Sequence, residues 1–577
     1  MKNFQMKNRT KNRTLISSIV LAITSTLVCA DDIVLELNSS VSSQQILVGE
    51  PTVTWRYSAS LTQGPASTLS LIPNSFLGPI LSVNTGDSVH IHQQNNLMGE
   101  TTTHFHGMDI PEISDGHPKD AFDPGESYDY EFIVRNRAST YWYHPHPDMM
   151  TGMQVYMGLK SFFIVSDPQE QALDLPRGEF DLPLCLHDAD FTADNQLVYS
   201  GANMMGHFGN TQLVNGQPNY NYSAATKVYR LRLLNGSQSR ILKLAFDDGT
   251  PIIVLGVDGG LLEAPEEYPY LLMGPGERYE LWADFSGKTV GEVITLKTLS
   301  YNEFAGGIGQ GGERDLMTFT IDRAEEEILT LPTSLVPMGE VYDVADIDGE
   351  KYWPITFEGG MFLLNGEMWD MSDMTATVEN ERAVGDALEL ITMTNHEGNI
   401  QFAHPMHLHG RQFQIHSRSM VDPDSEDSYN TVKDGIVDSG WHDTFMIMPN
   451  ETVQFLVRWS RHPGLFMWHC HNLPHEDMGM MRNFLLSEVP CPADLTHDGM
   501  VDISDFLDIL ANWNTPFGDV TGDDMTNVSD VLAIIANWGI CDAGFRELPR
   551  RPAPYKPKRN APSKPKRNAP SKPTIGR

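Results

Sequence analysis

Cysteine is scarce, five in 577 residues, which is too few for a disulfide scaffold. Positive charge is also short: 40 Lys and Arg stand against 76 Asp and Glu, a net charge of -36. Eleven of those basic residues crowd into 546 to 577 beside a single acid, so positions 1 to 545 hold 29 against 75, a balance of -46. Such a body repels nucleic acid and other polyanions and favours cations nearby. After residue 30 no run is apolar for the ~20 residues a membrane helix needs, so the mature chain is expected to have no transmembrane segment. Long amphipathic helical patterns are nearly missing from 45 to 488, which excludes a helical bundle.

The first thirty residues are of another kind. Lys2, Lys7, Arg9, Lys11 and Arg13 precede an apolar run from Leu15 to Val28 and a small-residue stop, Val28-Cys29-Ala30. This reads as a signal peptide over 1–30, cleaved before Asp31. The run is too short and too rich in Ser and Thr for an anchor, and bulky Val28 disfavours lipid attachment at Cys29. The protein is therefore expected to be exported, whether periplasmic, on the cell surface or secreted. Cys185 reads as a buried apolar residue. Cys491 and Cys541 bracket a small module and are placed to close it as a disulfide in an oxidising compartment.

What fills 45 to 488 is short alternating runs broken by Gly, Pro, Asn and Asp, such as Tyr229-Arg230-Leu231-Arg232-Leu233 and Thr452 to Val457. Short strands with frequent turns predict β-sandwiches. Three blocks, 31–168, 169–327 and 328–488, each carry a similar phrase before a late strand: Asp123-Pro124-Gly125-Glu126, Gly274-Pro275-Gly276-Glu277 and Met448-Pro449-Asn450-Glu451. An all-β chain of three related Greek-key sandwiches is the simplest account.

Histidine is concentrated in four clusters: His104-Phe105-His106-Gly107, His144-Pro145-His146, His404-Pro405-Met406-His407-Leu408-His409-Gly410, and His469-Cys470-His471 followed by His475 and Met480. Residues two apart on a strand share a face, so each His-x-His pair aims two imidazoles at one place, and neutral imidazole suits copper, zinc, iron or nickel. Between His469 and His471 the thiolate of Cys470 faces the other way, so one strand can serve two metal centres. A thiolate, two histidines and a distant methionine form a blue-copper set, which Cys470, His404, His475 and Met480 can supply. Val89-His90-Ile91-His92 has the same spacing, but no Gly follows it and it lies in an alternating strand, so it is set aside. Clusters occur only in the first and third blocks, which must therefore meet in space.

These four segments resemble the copper-binding segments of the multicopper oxidases, the family of laccases, bilirubin oxidases and bacterial copper-efflux oxidases, over about residues 45 to 488. The resemblance implies three cupredoxin domains and four copper ions. It assigns His404, Cys470, His475 and axial Met480 to a type 1 copper, and His104 and His407 to a type 2 copper. For the type 3 pair it assigns His106, His144 and His471 to one ion and His146, His409 and His469 to the other. Asp115 and Glu476 match proton-relay acids of the family, and Cys470 matches its electron conduit. The implied activity couples one-electron oxidation of phenols, aromatic amines, bilirubin-like pigments or metal ions to reduction of dioxygen to water. Alternatives are a copper-sequestering envelope protein without catalysis, and a surface scaffold built around its C-terminal module.

That module, 491–541, is a duplication. Asp494, Thr496, Asp498, Asp502 and Asp505 are answered by Asp519, Thr521, Asp523, Asn527 and Asp530, each set leading into a similar helical run. Oxygen ligands at loop positions 1, 3, 5, 9 and 12 suit calcium, and the spacing resembles the paired calcium loops of dockerin modules, which implies an attachment device with a surface or protein partner. The second loop departs from the pattern, with Asp524 where the sharp turn favours Gly. The basic Pro-Lys-rich tail, 546–577, is expected to be disordered because it has almost nothing apolar to bury.

Overall fold

The computed structural model describes residues 30–540 apart from 303–308, 371, 397, 399–401, 421–422, 490 and 497–499. Residues 1–29 of the expected leader, Asp498, Cys541 and 546–577 lie outside the described residues. Among the described residues no helix is long and apolar enough to cross a membrane.

Strands pair into three successive sets of two sheets. The first set joins a four-stranded sheet, in the order Thr52–Gln63, Asp32–Gln44, Ser88–Asn96, Ser127–Ile133, to a five-stranded sheet that ends in Ser139–His144 and His104–His106. Between the two sheets lie Ile33, Leu35, Ile91, Phe105, Phe132 and Phe163, all nearly inaccessible. Each such side chain contributes about 1.5–3 kcal/mol on burial. The second set spans strands from Asp181–Phe191 to Arg314–Arg323, and the third from Gly349–Glu358 to Met481–Ser487, each with its own apolar core.

The phrase repeated in each block is one turn built three times. The carboxylates of Glu126, Glu277 and Glu451 accept from the backbone N–H three residues earlier, at 3.3, 2.5 and 2.7 Å. Their own N–H groups donate back to those residues' carbonyls at 3.0, 3.2 and 3.1 Å. A strand follows each time, Ser127–Ile133, Arg278–Asp284 and Glu451–Arg458.

One alternating run has no solvent face. All eight residues of Val228–Asn235 are buried, although Arg230 and Arg232 predict an exposed side. Glu280 takes both guanidinium groups, with Arg232 Nη1 at 2.7 Å and Arg230 Nη2 at 2.5 Å, and Thr140 of the first sandwich donates to Glu280 at 2.7 Å. The charged face of the second sandwich packs against the first instead of water.

The C-terminal segment folds into helices Ile503–Ala511 and Val528–Ala536, capped by Asp502 and Asn527 in capping boxes with Asp505 and Asp530, around Val501, Ile509, Val520 and Ile534. Cys491 is disulfide-bonded. The segment sits beside the first and third sandwiches across a cleft of about 640 Å³ lined in part by Arg135, Arg137, Arg411, Trp441 and Phe517.

Candidate metal centre

Two pairs of strands bring the histidines together. In the first sandwich His104 pairs with His144 across adjacent strands. In the third, His407 pairs with His469 and Met406 with Cys470. The sandwiches then meet histidine to histidine: the rings of His104 and His409 stack at 3.8 Å and those of His106 and His407 at 3.6 Å. Gly107 permits this approach. It has φ +86°, and a Cβ there would lie 2.3 Å from Asp443 Oδ2.

Every ligand candidate is buried: the ten histidines and Cys470 are 0 to 1 % exposed and Met480 1 %. Four groups of nitrogen or sulfur donors lie within 4.8 Å of one another: His104, His106 and His407; His106, His144 and His471; His146, His409 and His469; and His404, Cys470 and His475. Nε2 of His104 is 3.3 Å from Nε2 of His407, and Nε2 of His469 is 3.3 and 3.1 Å from those of His146 and His409. Around the sulfur, Nδ1 of His404 is at 3.3 Å and Nδ1 of His475 at 3.9 Å, while the Asn472 N–H donates to Sγ at 3.4 Å.

The outer nitrogens are held. His104 Nδ1 lies 2.7 Å from the Asp115 carbonyl, His407 Nδ1 2.8 Å from the Asp443 carbonyl, and His409 Nδ1 2.8 Å from Asp115 Oδ2. Such contacts fix ring orientation and leave Nε2 for a metal. His106 is turned the other way, with Nε2 3.1 Å from Asp443 Oδ1 and 3.0 Å from Thr444 Oγ1. Its Nδ1, His144 Nε2, His146 Nδ1 and both nitrogens of His471 are buried without a hydrogen-bond partner among the described residues. Each such atom costs roughly 1–3 kcal/mol unless something binds it. A metal ion can satisfy one nitrogen of each ring, including one of the two on His471, so the residues present fit metal ions.

Electrostatics agree with that fit. Burial, and then the neighbouring imidazoles and Arg278, hold His106 well below its ordinary pKa. Burial and the neighbouring imidazoles do the same for His144, His407 and His409, and His146 and His471 fall to about 3. These are neutral rings, the ligand form. Burial alone would raise Asp115, but His409 and His104 prevail and lower it; for Glu476 burial is likewise outweighed by His469 and His146. Glu476 Oε2 lies 3.2 Å from His469 Nδ1 and Oε1 lies 3.6 Å from His146 Nε2.

Comparison with known proteins settles the family. Models of multicopper oxidases match residues 53–170 and 340–489. A bilirubin oxidase of Albifimbria verrucaria is 31 % identical over 428 residues, 72 % of this chain and 72 % of its own. The chain belongs to the multicopper oxidase family. Among further relatives of this oxidase, a laccase of Bacillus stratosphericus is 27 % identical over 75 % of this chain and 90 % of its own. The crystal structure of the McoA multicopper oxidase of Aquifex aeolicus superposes with a TM-score of 0.68 at 30 % identity, covering 79 % of this chain and 96 % of that one. The fold is the cupredoxin-like, mostly β fold of that family, and the protein is a laccase-like copper oxidase that uses dioxygen. A sequestering protein without catalysis is not favoured.

Several residues of the site carry no motif. Asp443 touches His106 and is gripped by Arg278 of the second sandwich through Nη1 at 2.6 Å and Nη2 at 2.5 Å. Met204, also from the second sandwich, accepts from His475 Nε2 at 2.9 Å through its carbonyl, so its loop covers the sulfur-containing site. Only the polar run His442-Asp443-Thr444 hints at the first of these, and nothing in the sequence hints at Met204.

In the C-terminal segment the expected loop acids bond to backbone. Asp505 Oδ1 accepts from Leu495 and Thr496 N–H at 2.8 and 2.9 Å. Asp530 Oδ1 accepts from Val520 and Thr521 N–H, both at 2.9 Å. Asp519 Oδ2 and Asp524 Oδ1 hold Arg135 Nη2 at 3.0 and 2.8 Å. Asp494 is buried, Asp502 and Asn527 cap the helices, and Asn527 Nδ2 donates to Asp523.

Proposed function

We propose that His404, Cys470, His475 and Met480 hold a type 1 copper, that His104 and His407 hold a type 2 copper, and that His106, His144 and His471 together with His146, His409 and His469 hold a type 3 pair. Copper, when bound, supplies the one-electron redox chemistry and binds dioxygen. The chain supplies the frame. The peptide backbone at Cys470 joins the donor-side site to His469 and His471 through bonds, a short route for electrons from a small reducing substrate. Asp115 Oδ1, buried and without a hydrogen bond among the described residues, and the Glu476 carboxylate hold and pass protons for oxygen reduction. A single observation carries this reading: imidazoles of two sandwiches stack in pairs around shared donor groups.

The proposed division is cupredoxin domains at 31–168, 169–327 and 328–488, a dockerin-like module at 491–541 and a basic tail at 546–577; the three successive pairs of sheets support the first three. The module is an attachment device that takes calcium at its acidic loops, which in the second loop requires Arg135 to give up Asp519. Its duplication and a matched exposed apolar face support this: Ile503, Leu507 and Leu510 on one helix, with Trp513 just beyond its end, answer Val528, Leu532 and Ile535 on the other, with Trp538 just beyond. Such a face asks for a partner. Export by the leader suits that role.

Oxygen uptake by the copper-loaded protein with a phenol, bilirubin, cuprous and ferrous ions tests the donor class. In the same assay Cys470→Ser should abolish turnover and the blue absorption. Asp115→Asn should slow oxygen reduction at least tenfold while leaving reduction of the donor-side site nearly unchanged. Full turnover in Cys470→Ser would overturn the electron route, and equal slowing of both steps would remove Asp115 from the proton route.

A further inference from the structure

The His-x-His pair set aside above stands on the outer face of the first sandwich. In Ser88–Asn96 burial alternates, with Val89, Ile91 and Gln93 inward and His90 and His92 outward. The strand runs antiparallel to Ser127–Ile133, opposing His90 to Glu131 and His92 to Asp129, and parallel to Asp32–Gln44, setting Glu36 beside His92. Two imidazoles therefore share one solvent face with three carboxylates.

The donors already converge. His92 Nδ1 lies 2.7 Å and His90 Nε2 3.3 Å from the same oxygen, Oδ1 of Asp129, and Glu131 Oε1 is 3.8 Å from His90 Nε2. A tetrahedral ion with bonds of about 2.0–2.2 Å needs donor atoms roughly 3.3–3.6 Å apart. The His90 to Asp129 spacing meets that as it stands, and His92 need open by only about half an ångström. All four side chains are at least 36 % exposed, so the ion would enter directly from solvent and keep water in its remaining positions.

We propose that His90, His92 and Asp129, with Glu131 within reach, form a surface site for a divalent late transition-metal ion such as Zn2+, Ni2+ or Cu2+. Its mixed nitrogen and oxygen set lacks the thiolate or thioether that selects cuprous ion. Two imidazoles exclude a calcium-type site, which is built from oxygen. The site lies on the sheet opposite the one bearing His104, His106 and His144, so it is separate from the buried centre. The strongly acidic body raises the local concentration of cations around it.

Metal content decides the question. Copper-loaded full-length protein is dialysed against low-micromolar Zn2+, and bound zinc and copper are counted per chain. Wild type should gain one zinc ion. His90→Gln with His92→Gln should lose it, with copper content and oxygen uptake unchanged, and Asp129→Asn should weaken it at least tenfold. Titration with Cu2+ should add one electron paramagnetic resonance signal with nitrogen coupling that the double variant lacks. Equal zinc in wild type and double variant, or none in either, would overturn the proposal.

Discussion

Glu280 shows how a single buried residue ties this molecule together. It is fully buried, and burial by itself would raise its pKa, but Arg230 and Arg232 hold it down to about 2. A carboxylate lowered on folding contributes stability above its unfolded value near 4.3 and loses that contribution as pH falls through the folded value. The pair should therefore help the protein down to about pH 4 and fail between there and about pH 2. Glu280→Gln leaves two buried guanidinium groups short of a partner, a change that typically costs about 3–5 kcal/mol. Denaturant unfolding near neutral pH should show that loss, and the difference from wild type should shrink below pH 3. Asp443 plays a similar part at the metal centre, with Arg278 on one side and His106 on the other.

At the scale of elements, the least expected contact is between the first sandwich and the C-terminal module. Asp524 sits at φ +65°, a left-handed conformation in which Gly would be easier by roughly 1 kcal/mol. Its carboxylate instead shares Arg135 with Asp519, so the departure from the glycine pattern exchanges backbone ease for a charged contact between elements. Arg135→Ala should undock the module without harming the oxidase. Small-angle scattering should then show a larger radius of gyration, and proteolysis between the sandwiches and the module should speed up severalfold while oxygen uptake stays unchanged. Unaltered scattering and cleavage would mean that the apolar contacts hold the module unaided. The loop carrying Met204 is a second such element, since its carbonyl closes the edge of His475 that would otherwise face outward.

For the whole molecule, the candidate metal groups draw their donor atoms from the first and third sandwiches, and the second braces both through Arg278, Glu280 and Met204. Binding to the folded state alone stabilises by mass action, and here the bound ions would also cross-link sandwiches. Removal of copper by a chelator should lower the midpoint of thermal unfolding by several degrees, and calorimetry should show separated transitions where the loaded protein shows one. Restoring copper should restore both. A midpoint indifferent to copper would mean that the interface stands without it.

The sequence by itself determined the local part of this design. Spacing of two along a strand sets which imidazoles share a face, adjacency of Cys470 to His469 and His471 is covalent, and Gly107 and the recurring Glu of the turns answer steric and hydrogen-bonding demands within a few residues. For that reason the four clusters, the three sandwiches and the duplicated module were legible. The tertiary structure alone decided what depends on distant segments: that Arg230 and Arg232 are buried, that Asp443 and Arg278 grip His106, that Met204 covers His475, and that Arg135 occupies the second acidic loop. Those partners lie far apart along the chain, and no period or motif encodes the packing that brings them within hydrogen-bonding distance.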